Sequence, residues 1–162
     1  MSTPITIYTD GSSLGNPGPG GYGIVLISGP HRKELSQGYK LTTNNRMELL
    51  AVIVALESLK LENSHVTVYT DSRYVVDAVM KGWVFGWEKK NFARKKNPDL
   101  WKRFLKIYHE HQVKFVWVKG HAQNKENNRC DKLAVEASSS SKLLIDEGYQ
   151  KELETGNNMF ED

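Results

Sequence analysis

The chain spells nearly the same short strand twice, as Ile5-Thr6-Ile7-Tyr8-Thr9-Asp10 and as Val66-Thr67-Val68-Tyr69-Thr70-Asp71. Both copies are rich in the β-branched and aromatic residues that suit a pleated surface, and both end in an aspartate followed by turn-forming residues. If the copies pair as neighbouring parallel strands, about 4.8 Å apart, Asp10 and Asp71 leave the same end of one sheet side by side. Two adjacent carboxylates repel each other. Protonation of one, or a bound divalent cation, relieves that repulsion, and oxygen ligands favour Mg²⁺ or Mn²⁺. Either aspartate alone could do no more than cap a loop or a helix; the matched pair is what points to chemistry.

The pattern around the repeat predicts the order β-β-β-α-β-α-α-β-α. Strands over Ile5 to Asp10, Tyr22 to Ile27 and roughly Glu34 to Leu41 form an antiparallel meander, with a Gly/Pro-rich loop from Gly11 to Gly21. A buried helix from Met47 to Leu61 returns the chain for the second copy of the strand. Helices follow over Ser72 to Met80 and Pro98 to about Glu110, then a strand over Val113 to Val118, a polar loop from Lys119 to Asn127 and a last helix from Asn128 to Ser138. The expected fold is α/β, a mixed five-stranded sheet of three antiparallel and two parallel strands flanked by helices.

At 162 residues the chain fits one domain, placed here at 1–142, and residues 143–162 read as an acidic, flexible tail. The longest apolar run, Leu49 to Leu56, is too short to span a bilayer, and Met1-Ser2-Thr3-Pro4 shows no signal-peptide pattern. A single cysteine, Cys130, permits no internal disulfide. These features predict a cytoplasmic, monomeric protein. Net charge is only +3, yet Lys81, Lys89, Lys90, Arg94, Lys95 and Lys96 stand against the lone acid Glu88 in one stretch, about 81–98, which reads as a basic protrusion.

Two further acids accompany the strand-end pair. Glu48 follows Asn45-Arg46-Met47, which has a capping-box shape, so a helix-dipole role competes with chemistry; yet the apolar residues around it set the carboxylate beside the core, where a buried acid needs a partner. Asp131 falls near the start of the last helix, where capping again competes. Three or four carboxylates converging at one sheet end suit two divalent ions roughly 3.5 to 4 Å apart, which hydrolyse phosphodiesters. His121, in the loop before Asp131, is a candidate proton shuttle because imidazole titrates near working pH. Trp83, Trp87 and Phe92 alternate with Lys89, Lys90 and Arg94, the pairing of bases and aromatic faces that nucleic acid recruits. Thr42-Thr43-Asn44-Asn45 offers hydroxyls and amides suited to a phosphate and a duplex groove.

Thr9-Asp10-Gly11-Ser12, Thr43-Asn44-Asn45-Arg46-Met47-Glu48, Thr70-Asp71-Ser72 and Val118-Lys119-Gly120-His121 followed by Asp131 resemble type 1 bacterial ribonuclease H, from about Ile5 to Ala137 and again at Asp146 to Gln150. The resemblance implies a ribonuclease H fold and an endonuclease that hydrolyses the RNA strand of RNA/DNA hybrids, leaving 5′-phosphate and 3′-hydroxyl ends. It implies Mg²⁺, with Mn²⁺ as an alternative, held as two ions by Asp10, Glu48, Asp71 and Asp131, and His121 aiding proton transfer or product release. Asn16, Asn44 and Asn45 map to the minor-groove face, with Gly11 and Ser13 beside them. Thr43 and Asn97 map to a pocket for a DNA-strand phosphate. Trp83, Trp87, Lys89 and Lys90 map to the protrusion that grips the DNA strand, and Lys119 to the loop side of the substrate. The chain departs from the family at Arg73, where glutamine is usual, at Leu41, where an arginine of the phosphate pocket is usual, and at Ser13, a cysteine in some relatives. Two other readings stay open on the residues: another nuclease of the same superfold, or a hybrid-binding module without catalysis.

Overall fold

The computed structural model describes residues 3–119 and 124–155. β1 (Ile5–Ser13), β2 (Gly18–Ser28) and β3 (His31–Thr42) form the antiparallel meander. α1 (Asn44–Glu57) leads to β4 (His65–Thr70), which pairs parallel with β1 in the phase set by the repeat: Ile5 lies opposite Val66 and Tyr8 opposite Tyr69, their rings stacked 5.0 Å apart. Next come α2 (Arg73–Met80), α3 (Trp83–Lys89), α4 (Pro98–Tyr108) and β5 (Gln112–Trp117), the last parallel to β4. α5 (Lys125–Ser138), β6 (Leu143–Leu144) and α6 (Glu147–Thr155) complete the described chain. The strand order is β5-β4-β1-β2-β3-β6, so both repeat strands are interior and their ends are flanked on either side.

The sheet separates two unequal apolar layers. On one face α1 is buried almost all round, through Met47, Leu49, Ile53 and Leu56, and packs with Trp101 and Phe104 of α4 over Ile7 and Val68. Each such aliphatic side chain contributes about 1.5–3 kcal/mol through the water it leaves. On the other face α5 lies over β1 and β2, where Cys130 and Leu133 meet Val25. That approach requires Gly23, since a Cβ there would collide with the Cys130 carbonyl. Two arginine–carboxylate forks clip the start of α5 to β3: Arg129 to Glu34 at 2.8 and 2.9 Å, and Arg32 to Glu126 at 2.7 and 3.2 Å. Arg129 and then Arg32 hold the Glu34 carboxyl down to about 2.

Several expectations are corrected. Among the described residues the sheet has six strands, because Leu143-Leu144 adds to the edge of β3 opposite Gly38 and Tyr39; a two-residue strand has no period to read. Folded structure therefore continues past residue 142, and Asp146, only 7% exposed, is tied inward. The Gly/Pro segment is mostly strand: Ser13 still pairs with Gly20, leaving a turn from Leu14 to Pro17. The aromatic and basic stretch contains a helix of its own, α3. α1 is capped by Thr43, whose hydroxyl accepts from the Arg46 N–H at 3.2 Å, so Glu48 sits in the second turn and no acid lies in the first. Likewise Asn124 caps α5, starting it three residues early and leaving Asp131 in its second turn. The capping explanations for both acids therefore lapse. None of the described helices is long and apolar enough to cross a membrane.

Candidate active site

Each acid arrives from a different element. Asp10 is on β1, Asp71 directly follows β4, Glu48 is on α1 and Asp131 on α5. Because the repeat strands pair in phase, their aspartates emerge together, and α1 brings Glu48 in from the side. Gly11 permits this approach: a Cβ there would strike the Met47 and Glu48 backbone. Instead the Gly11 N–H donates to Glu48 Oε1 at 2.6 Å, which fixes the carboxylate against β1. Carboxylate oxygens of Asp10, Glu48 and Asp71 all lie within 4.8 Å of one another. Asp131 is exposed on α5, which packs on the other face of the sheet, and lies close enough to Asp10 to raise its carboxyl.

Electrostatics follow from this crowding. Burial, then the charge of Asp71, then the hydrogen bond and charge of Asp131, push Asp10 up from 3.8 to about 8. Burial, Asp10 and Asp71 push Glu48 well above its ordinary range as well. Without a cation the cluster thus retains a proton near neutral pH, shared between Asp10 and Glu48. No described cation contacts Asp10 or Glu48, and the donors are hard oxygens at mutual distances that one or more divalent ions can span. The residues fit Mg²⁺ or Mn²⁺ and give no soft ligand for zinc.

Around the acids the residues expected to meet substrate fall into two groups. In the first, Asn44 Oδ1 accepts from the Ser13 N–H at 2.7 Å and from the Ser13 hydroxyl at 3.0 Å, while Asn16 Oδ1 accepts from the Asn44 N–H at 3.1 Å. With both carbonyl oxygens engaged, the amide NH₂ groups remain as donors toward a ligand. Asn45 lies half-buried in the first turn of α1. The second group belongs to the protrusion. Trp83 is 48% exposed with Lys81 Nζ 5.1 Å from its ring centroid, and Trp87 packs edge-on to Trp101 with Lys95 Nζ 5.0 Å from its own. With Arg73, Tyr74, Asp77 and Lys96 these aromatics line a cleft of about 390 Å³. Lys89, Lys90 and Lys119 are exposed, and Arg73 stacks 3.9 Å over Trp117, whose Nε1 donates to the Asp71 carbonyl at 3.2 Å. His121 lies outside the described residues.

Asn97 stands apart from both groups. It is 2% exposed: its Oδ1 accepts from Arg46 at 3.2 Å, its Nδ2 donates to the Tyr74 hydroxyl at 3.0 Å, and its N–H donates to Glu152 Oε1 at 2.9 Å. Behind it lies a network that the sequence reading missed. Arg46, 1% exposed, donates to both oxygens of Asp146 and both of Asp99, at 2.8–3.0 Å, and Thr42 Oγ1 donates to Asp146 Oδ2 at 2.7 Å. The available signal was Arg46 as the one basic residue of a largely apolar helix, since a buried guanidinium demands acceptors. Its partners are 53 and 100 residues away, beyond any local pattern.

The family model for RNase H matches residues 2–139. The chain is 59% identical over 153 residues to the ribonuclease H of Trichodesmium erythraeum, covering 91% of this chain and 97% of that one. It is 54% identical over 158 residues to the ribonuclease HI of a Synechocystis species, covering 93% and 98%. Among solved structures, a type 1 RNase H with the type 2 active-site motif superposes with a TM-score of 0.78 at 32% identity, covering 100% of this chain and 90% of the other. An RNase H1 in complex with an RNA/DNA hybrid gives 0.64 at 32%, covering 83% and 96%.

Proposed function

The chain belongs to the ribonuclease H family and is an endonuclease that hydrolyses the RNA strand of RNA/DNA hybrids, and we propose that Asp10, Glu48, Asp71 and Asp131 hold the divalent cations it works with. The observation that carries this reading is the convergence of three carboxylates within 4.8 Å, with Asp10 raised to about 8. Divalent ions bound there supply polarisation of the scissile phosphate and neutralisation of the charge that builds on the leaving oxygen. Asp10, central to the cluster and with Asp131 near it, would serve two ions; Mg²⁺ is the proposed metal, with Mn²⁺ able to replace it. The Gly11 N–H holds Glu48 in one rotamer, so its carboxylate meets the metals without first reorganising.

The two flanking groups divide the substrate between them. Ser13, Asn16, Asn44 and Asn45 line the side next to Glu48 and face the minor groove, where 2′-hydroxyls mark the RNA strand. Trp83, Trp87, Lys89 and Lys90 take the DNA strand, with Thr43 and Asn97 holding one of its phosphates. Arg73 and Lys119 add positive charge beside Asp71 and beyond β5. His121 takes or returns the proton as the ends, 5′-phosphate and 3′-hydroxyl, separate. A monomer acting in the cytoplasm completes the proposal.

A cleavage assay in Mg²⁺ on one sequence prepared as hybrid, RNA duplex, DNA duplex and single-stranded RNA, with chelator as control, tests it. The expected result is metal-dependent cutting confined to the hybrid's RNA strand and abolished by Asp10→Asn. Cutting that persists in Asp10→Asn, or that falls on DNA, overturns the assignment.

A further inference from the structure

At the start of α4 the N–H at the positive end of the helix is occupied by a carboxylate of the protein's own, that of Glu152. Asn97 takes the left-handed conformation, φ 62°, immediately ahead of Pro98, so its N–H projects at the positive end of the helix rather than into it. Glu152 reaches this point from α6 and accepts the N–H at 2.9 Å. Burial raises the Glu152 carboxyl, while the Asn97 N–H, Arg46 and Lys96 oppose that rise by favouring the charged form. With Asn97 only 2% exposed, no outside group reaches its N–H while Glu152 is in place.

None of the residues of α6 is buried, and its first turn is organised by Asp146, which accepts from the Tyr149 N–H at 3.2 Å and, through its carbonyl, from the Gln150 N–H at 3.0 Å. Those bonds lie at its first turn and leave Glu152 further along. The other half of the proposed phosphate pocket, Thr43, is set by the same residue that sets Asn97: the Arg46 N–H donates to Thr43 Oγ1 and its guanidinium to Asn97 Oδ1. Arg46 thus ties together the two residues proposed to hold the phosphate.

We propose that Glu152 is an internal stand-in for a nucleic-acid phosphate, occupying the Asn97 N–H in the unbound protein and displaced when the DNA strand of the hybrid enters. The inference rests on the reading of Thr43 and Asn97 as phosphate ligands. Glu152 then lowers affinity for every hybrid by the strength of the bond that must be exchanged, and keeps the pocket closed to weaker anions.

The test is equilibrium binding of an RNA/DNA hybrid in chelator, where it is not cut, by the full chain and by Glu152→Gln and Glu152→Ala. Charge-assisted hydrogen bonds are roughly twice as strong as neutral ones, so glutamine releases part of the competition and alanine all of it. Binding is expected to tighten about three-fold and about ten-fold in that order. Thermal unfolding of the same variants should show unchanged or slightly lowered stability, since Asn97 loses its acceptor. Tighter binding by a protein that is no more stable is a combination that removal of a merely structural hydrogen bond does not produce. Equal or weaker binding by both variants overturns the stand-in role and leaves the ribonuclease reading intact. An unaltered chain that neither binds the hybrid nor, in Mg²⁺, cuts it overturns both.

Discussion

Replacing Asp10 by asparagine should destroy cleavage and, in the absence of divalent cations, make the protein more stable. The side chains are nearly isosteric, so the change removes charge without opening a cavity. In the folded protein the Asp10 carboxyl rises from 3.8 to about 8, through burial and then Asp71 and Asp131. At about 1.36 kcal/mol per pH unit the full shift corresponds to about 6 kcal/mol. The group is partly open to solvent and shares its proton with Glu48, which reduces the realisable effect to about 2 kcal/mol. Below pH 3.8 Asp10 is protonated in both folded and unfolded chains and the substitution changes little. Between there and pH 8 the unfolded chain ionises while the folded one keeps its proton, so wild-type stability falls with rising pH. The variant has no proton to lose at this position, so its advantage grows across that window and levels off above it. At about 2–4 °C per kcal/mol for a chain of this size, Tm should rise by about 4–8 °C at pH 8. Thermal unfolding in chelator from about pH 4 to about pH 9 measures this. A variant no more stable than wild type at pH 8 would refute the claim that the carboxylates destabilise one another.

Metal binding should reverse the same strain. Mg²⁺ at about 100 times its dissociation constant should stabilise the wild type by about 2.7 kcal/mol in a thermal titration and have little effect on Asp10→Asn. Arg46→Met strands Asp99 and Asp146 without their cation and should cost about 3–5 kcal/mol in urea unfolding; a loss under about 1 kcal/mol would mean the network is solvated after all. Lys89→Ala with Lys90→Ala should raise KM for the hybrid with kcat little changed, and flatten the salt dependence of binding by about 0.9 for each phosphate no longer neutralised. An unchanged salt slope would remove these lysines from the interface.

The particular residues show what could be read along the chain and what could not. The repeat placed Asp10 and Asp71 together because strand pairing preserves phase, and the structure pairs the two copies in that register. α1 was legible as a buried helix because its apolar residues run almost all round it. Its cap was not: both Thr43 and Asn45 are good caps, and only the backbone, extended at Thr43, decides between them. β6 was missed because two residues carry no alternation, and the tail's acids read as solvated because nothing local says that Asp146 meets Arg46.

Local sequence thus determined the strand type and phase, the helices with strong apolar periodicity, and the kinds of residue available for chemistry, because these depend on neighbours about two to four positions away. Tertiary structure alone decided that Glu48 is clamped by Gly11 across 37 positions, that Asp131 reaches Asp10 from the opposite face, and that Glu152 covers Asn97 across 55. It also decided their acidity, because desolvation and the field of neighbouring carboxylates exist only once the chain has brought those groups together.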